Sequence, residues 1–267
     1  MEFRVSRSSY YSFDESKVAT DFEDFKIIEK YFNKHRQKVG IRQLKMIIER
    51  CEGLIMNEKK ISRIKNKYGL ETLIRRKNKY RRFKRNEQEH KTCPNHLDRE
   101  FNQKKADRVY SIDITQINYN GSKKAYVAAV KDLCTKEIVS KSVSNRIDLK
   151  LSNSALDKAL RKLSLDERKK LMIHSDQGLH FTHSSFRSRL KKDEVLQSMS
   201  RKGNCIDNAP IESFFGHLKD LLELEGCKNI KDIEKEVTRK IKYYNYDRPQ
   251  LGLKKMPPIE YRRHLNL

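Results

Sequence analysis

The stretch that decides the fold is Arg108-Val-Tyr-Ser-Ile-Asp-Ile-Thr115, whose alternating apolar residues predict a β-strand with Asp113 near its centre. A second apolar run, Leu171-Met-Ile-His-Ser-Asp-Gln-Gly178, breaks into a polar turn at Asp176. A third acid, Glu212, follows Asp176 with 35 residues between them, in Ser200-Arg-Lys-Gly-Asn-Cys-Ile-Asp-Asn-Ala-Pro-Ile-Glu-Ser-Phe-Phe-Gly-His-Leu-Lys219. The pattern predicts that two strands and one helix bring three carboxylates together.

The surrounding pattern predicts an α/β fold over residues 106–225, with a mixed five-stranded sheet flanked by helices. The expected strands are 109–117, 124–130, 137–143, 171–174 and 195–199, and the expected helices are 148–163, 184–192 and a third that runs from a cap at Asp207 to about Glu225. Gly226 is expected to end this last helix. Residues 226–267 are predicted to form a helical C-terminal extension.

The N-terminal part of the chain has helical rather than strand periodicity. Residues 1–20 form an expected lead-in, partly ordered, and residues 21–82 an all-helical region of three short helices. Asn57 is suited to cap the third helix, and Gly69 to follow its end. Such a unit resembles a helix-turn-helix whose last helix lies against DNA, and the alternative is a three-helix bundle with a merely basic surface.

The net charge of the chain indicates a polyanionic partner. It is +24 over 267 residues, with a pI of about 9.8. The sequence contains no apolar run long enough for a membrane span and no secretory leader, so no membrane association is expected. The 5 cysteines are scattered without a CxxC pair, which is typical of reduced cytosolic thiols.

Half of the excess charge lies in one segment. Between Lys59 and Arg85 there are 13 Lys or Arg and one acid, with aromatic residues between them. This density favours contact with a phosphate backbone over an ordinary solvated helix face, although it is also compatible with a nuclear localisation signal. The candidate DNA-binding residues here are Lys59, Lys60, Arg63, Lys65, Lys67, Arg75, Arg76, Arg81 and Arg82.

Residues 83–105 are polar and charged, and they are predicted to be a linker. They contain His90, Cys93 and His96 at intervals of three. A structural zinc site needs four ligands, and no partner pair lies at a suitable spacing, so the linker interpretation is preferred.

Three carboxylates in a basic chain suit phosphodiester chemistry. Two metal ions about 4 Å apart activate a nucleophile and stabilise the leaving oxygen. Oxygen ligands favour Mg²⁺, with Mn²⁺ as a substitute, and we expect two ions per site. Lys219 lies two helical turns after Glu212 and is expected to hold the DNA backbone, and Arg201 and Lys202 are further candidates for DNA contact.

Four motifs extend over almost the whole chain. They are Ser111-Ile-Asp-Ile-Thr115, His174-Ser-Asp-Gln-Gly178, the segment from Ser198 through Asp207-Asn-Ala209 to Glu212-Ser-Phe-Phe215, and Tyr244-Asn245 with Arg248-Pro249. In these motifs the chain resembles the DDE transposases of bacterial insertion sequences, of the OrfB type in the IS-three group, which are relatives of retroviral integrases. Tyr110 and Gln250 depart from that pattern, where Trp and His are common.

The resemblance implies a ribonuclease H-like core in which Asp113, Asp176 and Glu212 are the catalytic residues and metal ligands. It implies nicking at the ends of an insertion sequence, followed by attack of the new 3′-hydroxyl on target DNA. The implied partners are double-stranded DNA (terminal inverted repeats and target), further copies of this chain, and a helix-turn-helix and leucine-zipper protein from an upstream frame. The implied location is the bacterial cytoplasm, at the nucleoid.

Two alternative functions stay open at this point. A nuclease of the same fold would cleave DNA without joining it. A catalytically inactive DNA-binding regulator derived from a transposase would keep the fold without the chemistry, although the presence of all three acids argues against it.

Overall fold

The computed structural model describes residues 15–73 and 92–265, which belong to two compact units divided between Lys77 and Asn78. The first unit consists of three helices. They are α1 (Glu15–Lys34), α2 (Ile41–Glu52) and α3 (Glu58–Lys67). Helix α1 thus begins six residues before its predicted start, ahead of the first periodic apolar residue.

The helix ends in this unit follow the predicted capping pattern. The side chain of Asn57 accepts a hydrogen bond from the amide of Lys59 at 2.8 Å and so caps α3. Gly53 and Gly69 take the left-handed backbone after α2 and α3, with φ of 67° and 68°. The three helices enclose one apolar core, formed by Ile28, Phe32, Leu44, Ile48, Ile61 and Ile64.

The second unit is built on one five-stranded mixed sheet, as predicted. Its strands are β1 (Val109–Tyr119), β2 (Lys123–Asp132), β3 (Ile138–Ser144), β4 (Met172–Ser175) and β5 (Leu196–Met199). The order across the sheet is β3-β2-β1-β4-β5, with β1 at the centre. The pairs β1–β2 and β2–β3 are antiparallel, and the pairs β1–β4 and β4–β5 are parallel.

Helices cover both faces of the sheet. They are α4 (Leu149–Leu160), α5 (Leu165–Lys169), α6 (Leu179–Thr182), α7 (Ser184–Lys192), α8 (Ala209–Leu221), α9 (Ile230–Tyr246) and α10 (Pro258–Leu265), with short 3₁₀ turns at Cys205–Asn208 and Leu251–Leu253. One apolar core joins Ile112 of β1 to α4 and α7. The other core joins Ile117 of β1 to α8 and α9. Alternate β1 residues therefore point to opposite helical layers.

Helix α8 is shorter at its end than predicted. It stops at Leu221, and Leu222 takes an extended backbone with φ −58° and ψ 142°. Beyond this point Glu223 pairs with Lys240 and, at 2.8 Å, with Arg239, both on α9. The turn that brings Glu223 to α9 ends the helix before Gly226.

The described part of the expected linker, residues 92–105, contains no helix or strand, but it packs on the second unit. The amide of Met199 donates to the carbonyl of Pro94 at 3.3 Å, and Leu97 is buried beside Val109 and Leu133. Residues 92–105 thus belong to the second unit. No helix in the described ranges is long and apolar enough to cross a bilayer.

Candidate active site

Asp113 lies in the central strand, on the face that carries α8. Its neighbours Ile112 and Ile114 point into the core under α4, so Ser111 and Asp113 point to the other side. The hydroxyl of Ser111 donates to the side-chain oxygen of Asn208, directly before α8, at 3.2 Å. This contact fixes which helix lies over Asp113.

Asp176 follows the last residue of β4, which is parallel to β1. In the pairing register, Ser111 stands opposite His174. Asp113 and Asp176 are each two residues beyond these partners, so both lie at the same end of the parallel pair. Adjacent strands are about 4.8 Å apart, and this spacing sets the separation of the two backbones.

Glu212 is in the first turn of α8, one turn nearer the helix start than predicted, because the preceding residues form a 3₁₀ turn. Ile211 in the same turn and Phe214 in the next turn are buried against the sheet. Glu212 itself is exposed, on the open side of the helix. The helix thus carries a carboxylate to the end of the sheet where the two aspartates lie.

The three carboxylates influence one another electrostatically. Desolvation raises the pKa of Asp113 well above its usual range, and the charges of Asp176 and Glu212 raise it further. The amide of Ile114 and the ammonium of Lys219 oppose that rise. Desolvation also raises the pKa of Asp176, and both desolvation and Asp176 raise that of Glu212. Three neighbouring acids that do not readily ionise together form a site that favours a bound cation.

The aspartates are held by the backbone rather than drawn together. Oδ1 of Asp113 accepts from the amide of Ile114 at 2.7 Å, and Oδ1 of Asp176 accepts from the amide of Gly178 at 2.9 Å. Among the described residues, no three His, Cys, Asp or Glu side chains form a ready metal cage. The donor set, three carboxylates whose pKa values are all raised, nevertheless has the chemistry that Mg²⁺ and Mn²⁺ take.

The cations predicted near this site have different surroundings. Lys219 lies close enough to lower the pKa of Asp113, and Lys202 is exposed. Arg201, in contrast, is engaged within the protein, since its guanidinium Nε pairs with Asp207 at 2.8 Å. Its side chain is nevertheless 48% exposed, so Arg201 stays among the residues proposed to contact DNA.

Asp207 does not cap α8, so this prediction is wrong. Its carboxylate is buried and accepts from the guanidinium groups of Arg201 and Arg99, each at 2.8 Å, and from the Nδ2 of Asn95 at 3.2 Å. These bonds, with that of Arg201 first, hold the pKa of Asp207 well below its usual range. The buried acid thus ties the 3₁₀ turn before α8 to residues 95–99.

Sequence reasoning missed Lys131, at the end of β2. Its side chain is 5% exposed, and its Nζ donates to the carbonyl of Pro210 at 2.8 Å. Burial lowers the pKa of this lysine to about 7, and Arg248 adds to the effect. The predicted strand ended at Val130, and a backbone carbonyl as partner leaves no signal in sequence.

The basic residues of α3 divide into exposed and engaged groups. Lys59 is exposed. Arg63 forms two bonds of 2.6 Å to Asp21, Lys67 reaches the same carboxylate at 3.2 Å, and Lys60 pairs with Asp24. The remaining exposed area of Arg63 and Lys67, at 55% and 40%, still leaves both at the surface.

Lys65 is buried, which removes it from the set proposed to contact DNA. Its ammonium lies 4.1 Å from the ring centroid of Phe32 and donates to the hydroxyl of Thr72 at 2.8 Å. Arg75, Arg76, Arg81 and Arg82 lie outside the described residues.

Family models match both units of the chain. An HTH-like domain matches residues 20–78, and two models of an integrase core domain match residues 103–205 and 193–258. The second integrase model extends through α9, which we had expected to lie beyond the core. The described geometry and these matches define a DDE-type integrase or transposase core that follows a helical DNA-binding unit in the chain.

The relatives are transposases of insertion sequences. The chain is 36% identical over 238 residues to the putative transposase InsK for insertion sequence element IS150 of Escherichia coli K12, covering 89% of this chain and 82% of the relative. It is 30% identical over 266 residues to the 31 kDa protein of insertion element IS600 of Shigella sonnei, covering 97% and 96%. The chain therefore belongs to the insertion-sequence transposases, and the resemblance to the IS-three group is confirmed.

Solved structures agree on the fold. A chain in the structure of the simian T-cell lymphotropic virus intasome with the PP2A regulatory subunit B56 gamma superimposes with a TM-score of 0.52 at 15% identity. The match covers 66% of this chain and 60% of that chain. The fold of the sheet and its flanking helices is thus shared with a chain of this intasome complex.

Proposed function

We propose that this chain nicks DNA at the ends of an insertion sequence and joins the resulting 3′-hydroxyl strand to target DNA, with Asp113, Asp176 and Glu212 as one catalytic site. The observation that carries this proposal is that the three carboxylates lie toward one end of the parallel pair β1–β4, where the charges of Asp176 and Glu212 oppose the ionisation of Asp113 and the charge of Asp176 opposes that of Glu212. Such a cluster is stable in its ionised form only beside a cation.

The three carboxylates would hold Mg²⁺ or Mn²⁺, and we propose two ions per site. When bound, the pair of ions supplies an activated oxygen nucleophile and compensates the charge of the leaving oxygen. Asp113 and Asp176 are fixed by backbone amides on rigid strands, and Glu212 closes the site from the helix. Water and a 3′-hydroxyl are equivalent nucleophiles for this arrangement, so one site serves both steps.

DNA contact is proposed for exposed or partly exposed cations of both units. In the first unit these are Lys59, Lys60, Arg63 and Lys67 on α3, with the arginines of residues 75–82. In the catalytic unit they are Arg201, Lys202 and Lys219. Terminal inverted repeats and target DNA are the proposed ligands, bound by an assembly of several copies. A helix-turn-helix and leucine-zipper protein from an upstream frame, and association with the nucleoid, are proposed from the resemblance alone.

The test incubates the protein with Mg²⁺, a labelled insertion-sequence end and a supercoiled plasmid. We expect nicked ends and, later, label joined to the plasmid, both absent with Asp176→Asn. Nicked ends without joined product would favour the nuclease alternative. Unchanged joining by Asp176→Asn would remove Asp176 from the catalytic site.

A further inference from the structure

The chain that leads into Glu212 is held by side chains from three neighbouring strands. His174 of β4 bonds through Nε2 to the carbonyl of Asp207 at 3.1 Å. Ser111 of β1 donates to the side chain of Asn208 at 3.2 Å. Lys131 of β2 donates to the carbonyl of Pro210 at 2.8 Å. These three contacts fall within four consecutive residues, 207–210, which lead into the first turn of α8, where Glu212 lies.

The buried position of Lys131 is energetically unfavourable for a lysine side chain. Burial of an ammonium group is costly unless an anion compensates it. Within the described ranges, the ion pairs of the structure do not include Lys131, and its partner is the neutral carbonyl of Pro210. A Met of similar length would fill the same space without this cost. The retained amino group, which donates to the Pro210 carbonyl in either protonation state, therefore points to a positional requirement at Pro210.

His174 has a single tautomer that its partners define. The carbonyl of Asp207 only accepts, so Nε2 carries the hydrogen, and Nδ1 then accepts from the hydroxyl of Ser198 at 3.0 Å. The oxygen of Ser198 in turn accepts from the amides of His96 and Leu97 at 2.9 and 3.2 Å. A neutral imidazole thus connects β4, β5 and the turn before α8.

Both catalytic aspartates are close neighbours of this framework along the chain. Ser111 is two residues before Asp113, and His174 is two residues before Asp176. Glu212 is two residues after Pro210, in the same helical turn. The three hydrogen bonds therefore connect the strands that carry the two aspartates, and the neighbouring β2, to the segment that carries the glutamate. Catalytic geometry tolerates errors of only about 0.5 Å, so such a connection needs rigid supports.

We propose that Lys131, with Ser111 and His174, is a positioning residue that sets the distance of the Glu212 carboxylate from Asp113 and Asp176. This inference rests on the proposed function, in which the three acids bind divalent cations together. Removal of one support leaves the ligands present but displaces Glu212. The deficit then falls on metal binding rather than on recognition of DNA.

The test measures joining of a precut DNA end as a function of Mg²⁺ and Mn²⁺ concentration, with Lys131→Met and Ser111→Ala. Supporting residues around metal ligands are worth about 10–100-fold in metal affinity, so we expect each variant to need at least about tenfold more metal for half-maximal rate. The KM for the DNA end should stay unchanged. Lys162→Met is the matched control, because Lys162 also donates to a strand carbonyl, that of Val139 in β3.

The outcomes separate clearly. A shift in metal requirement for Lys131→Met, or for Ser111→Ala if the lysine variant does not fold, supports the proposal when Lys162→Met behaves as wild type. Folded variants with the wild-type metal requirement overturn it, and so does an equal shift in Lys162→Met. Asp176→Asn is measured in parallel. If it retains joining, the proposed function itself fails, whereas an inactive Asp176→Asn beside unchanged Lys131→Met and Ser111→Ala refutes only the positioning role.

Discussion

Replacement of Gly178 by Ala acts directly on the carboxylate of Asp176. Gly178 has φ −63° and ψ 150°, a backbone that alanine adopts without strain. A Cβ built there would lie 2.9 Å from Oδ1 of Asp176 and 3.6 Å from its Cγ. The amide of Gly178 also donates to that Oδ1. The added methyl group therefore meets the far end of one catalytic side chain and no other atom at such short range.

The geometry gives the size of the effect. Ordinary contact with a Cβ begins near 3.4 Å, so the Oδ1 atom must retreat by about 0.5 Å. A misplacement of 1 Å costs about 100-fold in rate, and half that displacement corresponds to a loss of about tenfold. Stability should change little, because the poorer capping by alanine at the start of α6, about 1 kcal/mol, is largely offset by about 0.4–1 kcal/mol from its restriction of the unfolded chain. We expect Tm to stay within about 2 °C of wild type.

The assay is single-turnover joining of a precut DNA end to plasmid, followed together with Tm. Gly252→Ala is the matched control, since its Cβ would meet nothing within 4 Å. We expect wild-type joining from the control and about a tenfold slower rate from Gly178→Ala. Wild-type joining by Gly178→Ala would refute the assignment of this carboxylate to the site. A loss of rate that merely follows a large fall in Tm would refute the local explanation.

Three further predictions concern stability and DNA binding. In chelator at neutral pH, Asp113→Asn should raise Tm by about 2–4 °C, which corresponds to about 1 kcal/mol of stability in a domain of this size. The reason is that the substitution removes a carboxylate whose pKa is raised by desolvation and by the neighbouring acids. A lower Tm would contradict this repulsion between the acids. Lys59→Ala should reduce the slope of log DNA affinity against log salt concentration by about 0.9, because Lys59 is exposed, whereas Lys65→Met should leave the slope unchanged, because Lys65 is buried. Equal slopes for the two variants would argue against phosphate contact by α3. Asp207→Asn should lower the free energy of unfolding by about 1–3 kcal/mol at pH 7. Urea titrations should show this difference shrinking as pH falls below the ordinary carboxyl pKa, because the pKa of Asp207 is lowered in the folded state and the stability that it contributes is lost on acidification. A pH-independent difference would argue against the ion pairs.

The sheet could be predicted from sequence because each strand has a local signal. Period-two alternation around Asp113 identifies both the strand and the face that the acid occupies. The polar break after Ser175 identifies the strand end where Asp176 lies. Glu212 needed its long motif, since helical periodicity alone does not say which end of a sheet a helix covers.

The supports of the site could not be predicted in the same way. An Asp near a helix start is suited both to capping and to pairing with Arg, and one of its two Arg partners, Arg99, stands 108 positions before Asp207. Lys131 has a backbone carbonyl as its partner, which any residue offers. Such contacts are determined by the packing of the sheet and α8.

The burial of Lys65, in contrast, could have been predicted from the helical periodicity of the sequence. Ile61, Ile64, Lys65 and Tyr68 follow the helical spacing of one face, and that face packs against α1. Charge density along a segment predicts its partner, whereas the position of each cation around the helix decides which side chains reach that partner. The same pattern leaves Lys59 at the surface.

The most direct test of the central claim is a comparison of hydrolytic nicking and strand joining in Asp113→Asn, Asp176→Asn and Glu212→Gln, with uncut and precut insertion-sequence ends in Mg²⁺. One shared site predicts that every variant loses both reactions by at least about a hundredfold while it keeps its affinity for the DNA end. A variant that no longer nicks the uncut end but still joins the precut end at the wild-type rate would contradict the single site.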